Sequence, residues 1–345
     1  MKFQIIISFL LLAIQLFGQN KRPEDFGFKH IQMQYQGDTV DILIKSKKDE
    51  INIPKPLFLF CQGSLPIPLM IKYDSLGKQK IYNVFPFNPD SLSKEYHLAI
   101  ISKPNIPFIV NERSLNSDMT YSDPPGSFPK NYTDRNLLGY YVQRDIAVIK
   151  FLQKHSWISK IKLVVAGHSE GSAIAAKIAF IYPKVTHLIY SGGNPFGRIM
   201  SIIERSRVLE TDTATYAEDA IKNWEKIVAD SNNTIAKQGD SYKSTYGFSV
   251  PPPVNYLSRL KIPVLVTYGT KDYGLVSFVD YFRVETIRQH KRNFTFKPYI
   301  GTEHNFFPLK PNGETNYDIF NWDKVANDWR EWLKENKYER TTAVL

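Results

Sequence analysis

The stretch LVVAGHSEGSAIAAKIAFIYP, Leu163 to Pro183, constrains this chain more than any other. Its first residues form a continuous apolar run that stops on glycine, the pattern of a strand covered on both faces. The chain then passes directly into a run dense in Ala and Ile that ends before Pro183, the pattern of a buried helix. A buried strand feeding straight into a helix is one step of a βαβ succession. Such a succession needs a mostly parallel sheet with helices on its faces.

The same signature recurs along the chain. Leu57 to Cys61 in PLFLFCQGS, Tyr96 to Pro104 in YHLAIISKP, and the segments THLIYSGG, IPVLVTYGTKD and NFTFKPYIGTEH all read as strands. Ahead of them, Lys29 to Lys47 alternates polar and apolar residues around Gly37-Asp38, which predicts a hairpin. LMIKYDSLGKQKIYNVF reads as a further hairpin, and NPDSLSKEY as a short helix. The segment from Asn105 to Asn131, rich in Pro, Ser, Asn and Asp, reads as a long loop. A helix follows, with Leu137, Tyr141, Ile146, Ile149 and Leu152 near helical spacing and Thr133 or Asp134 as its N-cap. The chain closes on an amphipathic helix in which Trp322, Trp329 and Trp332 read as core anchors. Between Asn194 and Leu260 a helix-rich stretch interrupts the succession, which predicts a helical cap inserted at about residues 194–260.

Composition narrows the possibilities. With 345 residues, 43% of them hydrophobic, the chain can bury a large core and is too apolar to be disordered. Cys61 is its only cysteine, so no internal disulfide can form. No Cys/His cluster has zinc spacing, so the reading assigns neither metal nor cofactor. The net charge of +10 comes from scattered lysines and arginines without a basic block, which reads as a solvated surface rather than a nucleic-acid site. Lys2, the apolar run Ile5 to Phe17 and the small residue Gly18 read as an export signal over residues 1–19. The expectation is a single mature domain, 20–345, in the periplasm or secreted. It has no second segment long enough to span a membrane. Its oligomeric state is open.

The chemistry centres on Ser169. A Gly-x-Ser-x-Gly pattern carries weight only in context, and here it follows a strand and opens a helix. Gly167 and Gly171 remove side chains where strand and helix approach, so the turn projects the Ser169 hydroxyl above the sheet edge. A serine hydroxyl needs a base, and the base needs an orienting acid. His304, on the polar turn after the last strand, is the candidate base, and Asp272, just past LVTYG, is the candidate acid. Asp280 and Glu303 are weaker alternatives for the acid, and His168 reads as a packing residue. The order serine, acid, histidine suits a sheet of this kind.

GHSEG, GTKD and EH together resemble the α/β-hydrolase-fold serine hydrolases, near their exported esterase, thioesterase and prolyl-oligopeptidase-like branches. The resemblance runs from Lys29 to the closing helix. It implies the α/β-hydrolase fold, with a mostly parallel sheet, helices on both faces and a cap. It also implies hydrolysis of an ester or thioester of a small acyl substrate through an acyl-enzyme. A peptidase or aminoacyl hydrolase is the alternative, and a catalytically silent binder is a more remote one. In this family the strand before the first catalytic loop often ends in His-Gly. Here it ends FCQGS, with Gln62 in place of the histidine. The backbone N–H groups of Ser64 and Glu170 are the expected oxyanion donors. Gln62 is expected to hold the loop by hydrogen bonds. The Glu170 side chain reads as a helix-dipole partner, or as a pocket-edge charge that disfavours anions. Phe196, Trp224, Tyr242, Tyr246 and Phe248 of the cap are candidates to line an apolar acyl pocket. For a peptidase, Arg113, Arg135 and Arg198 are candidate carboxylate clamps.

Overall fold

The structure, a computed structural model, describes residues 22–75, 78–237 and 239–336. The export-signal segment lies outside the described residues. Among them, no helix is long and apolar enough to cross a membrane.

An eight-stranded sheet forms the centre. Its strands are β1 (Phe28–Tyr35), β2 (Asp38–Lys45), β3 (Lys55–Cys61), β4 (His97–Ile101), β5 (Ile158–His168), β6 (His187–Ser191), β7 (Val264–Gly269) and β8 (Phe294–Tyr299). They lie in the order β1-β2-β4-β3-β5-β6-β7-β8. The β1–β2 hairpin is antiparallel, and β2 runs antiparallel to β4. Every pairing from β4 to β8 is parallel.

The longer helices are α1 (Leu138–Leu152), α2 (Glu170–Ile181), α3 (Arg198–Val208), α4 (Tyr216–Ala229), α5 (Val276–Arg288) and α6 (Trp322–Glu335). Strand side chains alternate between two cores, as a period of two requires. Leu57, Leu59, Val165, Leu188 and Val266 face α1, α2 and α5. Phe58, Phe60, Val164, Ala166 and Leu265 face α6 and the segment bearing Phe85, Phe87 and Leu92. Along α6 the buried residues Trp322, Val325, Ala326, Trp329, Trp332 and Leu333 recur at helical spacing, so one stripe covers the sheet.

Two local differences from the sequence reading stand out. The long loop contains a strand, Ile109–Asn111, that pairs in parallel with Met70–Lys72 beside the second hairpin. Three residues are too few to show periodicity. The helix expected from Thr133 or Asp134 is broken instead. Lys130–Arg135 forms its own short helix, and α1 starts at Leu138 with Leu137 as a cap that makes no side-chain bond. Asn136 makes the break: its amide donates to the Gly239 carbonyl and to Asp240 Oδ1, each at 3.0 Å, and so fixes the corner to the inserted segment. That segment, between β6 and β7, carries α3, α4 and the short helices Tyr242–Gly247 and Val254–Leu257.

Candidate active site

The turn from β5 into α2 is tight because two side chains are missing. A Cβ at Gly167 would lie 2.0 Å from the Gly171 carbonyl oxygen, and one at Gly171 would lie 2.0 Å from that of Cys61. Ser169 sits between them at φ +57° and ψ −124°, a backbone conformation that costs a non-glycine residue of order 1–3 kcal/mol. Surrounding hydrogen bonds hold it. The Ser169 N–H donates to the Ser191 carbonyl at 2.9 Å, and the Ser172 hydroxyl donates to the Ser169 carbonyl at 2.6 Å.

His304 and Asp272 come from the loops after β8 and β7. These loops are joined where the Lys271 N–H donates to the Thr302 carbonyl at 2.8 Å. Gly269 permits the approach, since a Cβ there would meet the Glu303 and Thr302 carbonyl oxygens at 2.3 and 2.4 Å. His304 Nε2 lies 2.9 Å from Ser169 Oγ, and its Nδ1 lies 2.5 Å from Asp272 Oδ2. Three residues far apart in sequence thus meet in one line, with Asp272 buried and His304 partly open. The alternative acids are engaged elsewhere. Asp280 accepts the Tyr268 hydroxyl from within α5, and Glu303 accepts the N–H groups of Asn305 and Phe307.

His168 packs behind the site. Its ring lies 4.9 Å from that of His304 and stands edge-on to Trp322, and its Nδ1 is 3.0 Å from Ser191 Oγ. Burial, and then the nearby His304, hold it well below the usual imidazole range, so it stays neutral.

A cavity of about 240 Å³ opens over Ser169. Ser64 and Glu170 both border it, and a Cβ on Gly63 would lie 3.7 Å from Ser169 Cβ, so the loop after β3 lies against the serine. The N–H of Glu170 is the first of α2 and has no intrahelical acceptor. Gln62 faces away from this work: its amide donates to the Ile101 carbonyl at the end of β4 and ties the loop to the sheet.

Nothing local in the chain marks what surrounds Glu170. Its side chain is 2% exposed, with Lys103 Nζ at 2.9 Å on one oxygen and the Arg198 guanidinium on the other. Arg198 also reaches Asp240 at 2.8 Å, and Lys103 lies over the Tyr141 ring. Burial alone would raise the Glu170 carboxyl, but Lys103 and Arg198 outweigh it and hold the group below its ordinary value. Glu170 is therefore neither a simple helix-dipole partner nor an uncompensated charge at the pocket edge. Lys103 follows a strand in an ordinary SKP turn, and Asp240 sits in the two-residue strand Asp240–Ser241. Neither carries a pattern that marks it.

The cavity is lined mostly by residues other than the aromatics expected to form an acyl pocket. Of the five cap aromatics, only Phe248 lines the cavity. Trp224 stacks on Tyr246, and Phe196 packs with Phe278 and Tyr281, because helix packing consumes these rings. The rest of the wall mixes polar Ser172, Asn194 and Arg205 with aromatic Tyr190 and apolar Ile202 and Leu275. Of the candidate clamps, Arg135 pairs with Asp38 at 3.0 Å, Arg113 sits in the turn Glu112–Ser114 away from the lining, and Arg198 is neutralised as described. No group of His, Cys, Asp and Glu among the described residues could hold a metal ion.

Comparison with known proteins fits the architecture. The sequence matches no family model and no curated protein. Solved structures do match. An acylaminoacyl peptidase from Pyrococcus horikoshii aligns at TM-score 0.55 and 13% identity over 92% of this chain, which spans 43% of that one. Est1E from Butyrivibrio proteoclasticus, with ferulic acid bound, aligns at TM-score 0.51 and 12% identity over 89% of this chain and 98% of that one. A 2,6-dihydroxy-pseudo-oxynicotine hydrolase aligns at TM-score 0.50 and 14% identity over 90% of this chain and 68% of that one. At these identities the likeness is one of fold, and the chain has the α/β-hydrolase fold.

Proposed function

We propose that the chain is a serine hydrolase that works by two-step acyl transfer on an ester or thioester of a small acyl group, acting after export. The observation that carries this reading is the line Ser169–His304–Asp272, with 2.9 and 2.5 Å between its heavy atoms, on a turn held at positive φ. Ser169 Oγ attacks the substrate carbonyl as His304 Nε2 takes its proton. Asp272 holds the Nδ1–H tautomer and stabilises the imidazolium. The tetrahedral oxyanion rests on the backbone N–H groups of Glu170 and Ser64, each such donor being worth about 3–4 kcal/mol of transition-state stabilisation. The imidazolium then protonates the leaving group, and water releases the acyl group by the reverse path.

The size of the cavity, about 240 Å³, favours a short acyl chain over a long fatty one. Ser169→Ala tests the reading. Turnover of p-nitrophenyl esters and acyl thioesters is expected to fall by at least about 10⁴-fold, and a phosphonate probe should label the wild type but not the variant. Retained turnover defeats the assignment. Aminoacyl arylamides in the same screen separate a peptidase from an esterase.

A further inference from the structure

Helix α3 turns one face to the cavity. Arg198, Ser201, Ile202 and Arg205 all line it, at the i, i+3, i+4 and i+7 spacing of one helical stripe. The two arginines lie on that stripe with their backbones about 10 Å apart along the axis, and their situations differ. Arg198 is matched by Glu170 and Asp240, and Lys103 completes a group of two cations and two carboxylates whose charges cancel. The Arg205 side chain has no hydrogen bond or ion pair among the described residues. Its side chain lies across the backbone of Gly274, where a Cβ would come within 2.6 Å of Nε and 3.1 Å of Cγ. Gly274 is two residues past Asp272, and its carbonyl is held by Asn194 Nδ2 at 3.1 Å. The Arg205 guanidinium therefore stands over the loop that carries the acid, on the wall of the cavity that holds Ser169.

An arginine of this helix that faces outward behaves otherwise. Arg207 pairs with Glu210 at 3.0 Å and with Glu218 at 3.3 Å. On the cavity side the polar company of Arg205 includes the neutral hydroxyl and amide groups of Ser172, Ser201 and Asn194, beside apolar Ile202 and Leu275. Among the described residues the one lining carboxylate besides Glu170 is Asp240, already paired with Arg198. Glu170 does not repel an incoming anion, because two cations already balance it. A planar guanidinium without a carboxylate, beside neutral donors in a cleft, suits a carboxylate ligand. The net charge of +10 favours the approach of such a ligand.

We infer that the substrate carries a carboxylate and that Arg205 receives it, which makes Arg205 a specificity residue. This inference rests on the reading of Ser169 as the nucleophile. The carboxylate belongs either to the acyl part or to the leaving group, so the test has two arms. The first compares p-nitrophenyl hemiglutarate with p-nitrophenyl pentanoate. The second compares 4-acetoxybenzoate with its methyl ester. On one arm the wild type should prefer the anionic substrate, and Arg205→Gln should lower the anionic-to-neutral ratio of kcat/KM by about ten- to a hundred-fold. Arg205→Lys should restore part of the ratio, and Arg207→Gln should leave it unchanged. A ratio unaffected by Arg205→Gln on both arms overturns the inference. Calorimetric titration with glutarate and with 4-hydroxybenzoate reads the same site without turnover. Binding by the wild type that Arg205→Gln weakens supports the inference even if no ester is cleaved, an outcome that would fault only the role of Ser169. Absence of wild-type binding to both anions, with no ester preference, overturns it.

Discussion

A methyl group placed on Gly171 would overlap the Cys61 carbonyl at 2.0 Å and crowd that of Gln62 at 2.6 Å. The obstruction is backbone, not a flexible side chain, so strand β3 and the start of α2 would have to separate. Neither Gly167 nor Gly171 has the positive φ that would itself call for glycine; Ser169 between them does. Space alone fixes the glycines, whereas the turn strains the serine. Gly171→Ala is expected to cost about 3 kcal/mol in urea unfolding, and esterase activity should fall further than the loss of folded protein explains, because Ser169 moves relative to His304. Gly139→Ala, in helix α1 where a Cβ meets nothing within 4 Å, is the control: it should keep wild-type activity and be no less stable, gaining up to about 1 kcal/mol from helix propensity. Equal behaviour of the two variants would show that the turn is looser than its geometry implies.

At the scale of elements, the N-terminus of α2 is where the core and the inserted segment are joined by charge. Lys103 follows β4, Glu170 opens α2, Arg198 opens α3, and Asp240 precedes the short helix Tyr242–Gly247. A buried charge is tolerated only while paired. Glu170→Gln keeps the shape of the side chain but leaves Lys103, 3% exposed, without its counter-ion. The expected loss is about 3–5 kcal/mol in urea unfolding. Adding Lys103→Met should return part of it, since the orphaned ammonium is then gone. If the double variant is as unstable as the sum of the single ones, the two groups are not coupled. The same network explains why the sequence misled about this region. Glu170 stood in a motif and invited a role by position, but its partners lie 67 and 28 residues away along the chain. Long-range pairing of that kind leaves no local pattern.

For the whole molecule, the α/β-hydrolase fold was legible because the central strands are apolar on both faces and end on, or are followed by, a punctuating residue, as at Gly63, Pro104 and Gly269. The three residues of the candidate site were legible because each follows such a strand end. The cavity wall was not, because cap aromatics such as Trp224 pair with one another rather than face inward. Burial also sets the acid response of the fold through histidines that play no part in the proposed chemistry. His97, bonded to Ser46 and the Ile53 carbonyl, and His187, bonded to Thr186 and the Asn336 carbonyl, are both buried. Burial pushes the His187 imidazole down to about 4, and pushes His97 and His168 down as well. An imidazole with a lower pKa in the folded chain than in the unfolded chain binds its proton preferentially in the unfolded state. Stability is therefore complete above the ordinary histidine value of about 6.5 and declines as pH falls below it, by up to about 1.4 kcal/mol per pH unit for each such group. For His187 the decline continues until pH reaches its folded value of about 4. Glu170, held below the ordinary carboxylate range, adds a loss only at more acid pH, while Asp145 and Glu303, both raised by burial, take up protons in the folded chain and oppose the decline, so the histidine share is read from the His187 variant rather than from the whole slope. Urea unfolding at pH 7.5, 6.5, 5.5 and 5 should show this slope, and His187→Asn should make it shallower by one group's share. A slope that His187→Asn leaves unchanged would mean that this imidazole accepts its proton without opening the fold.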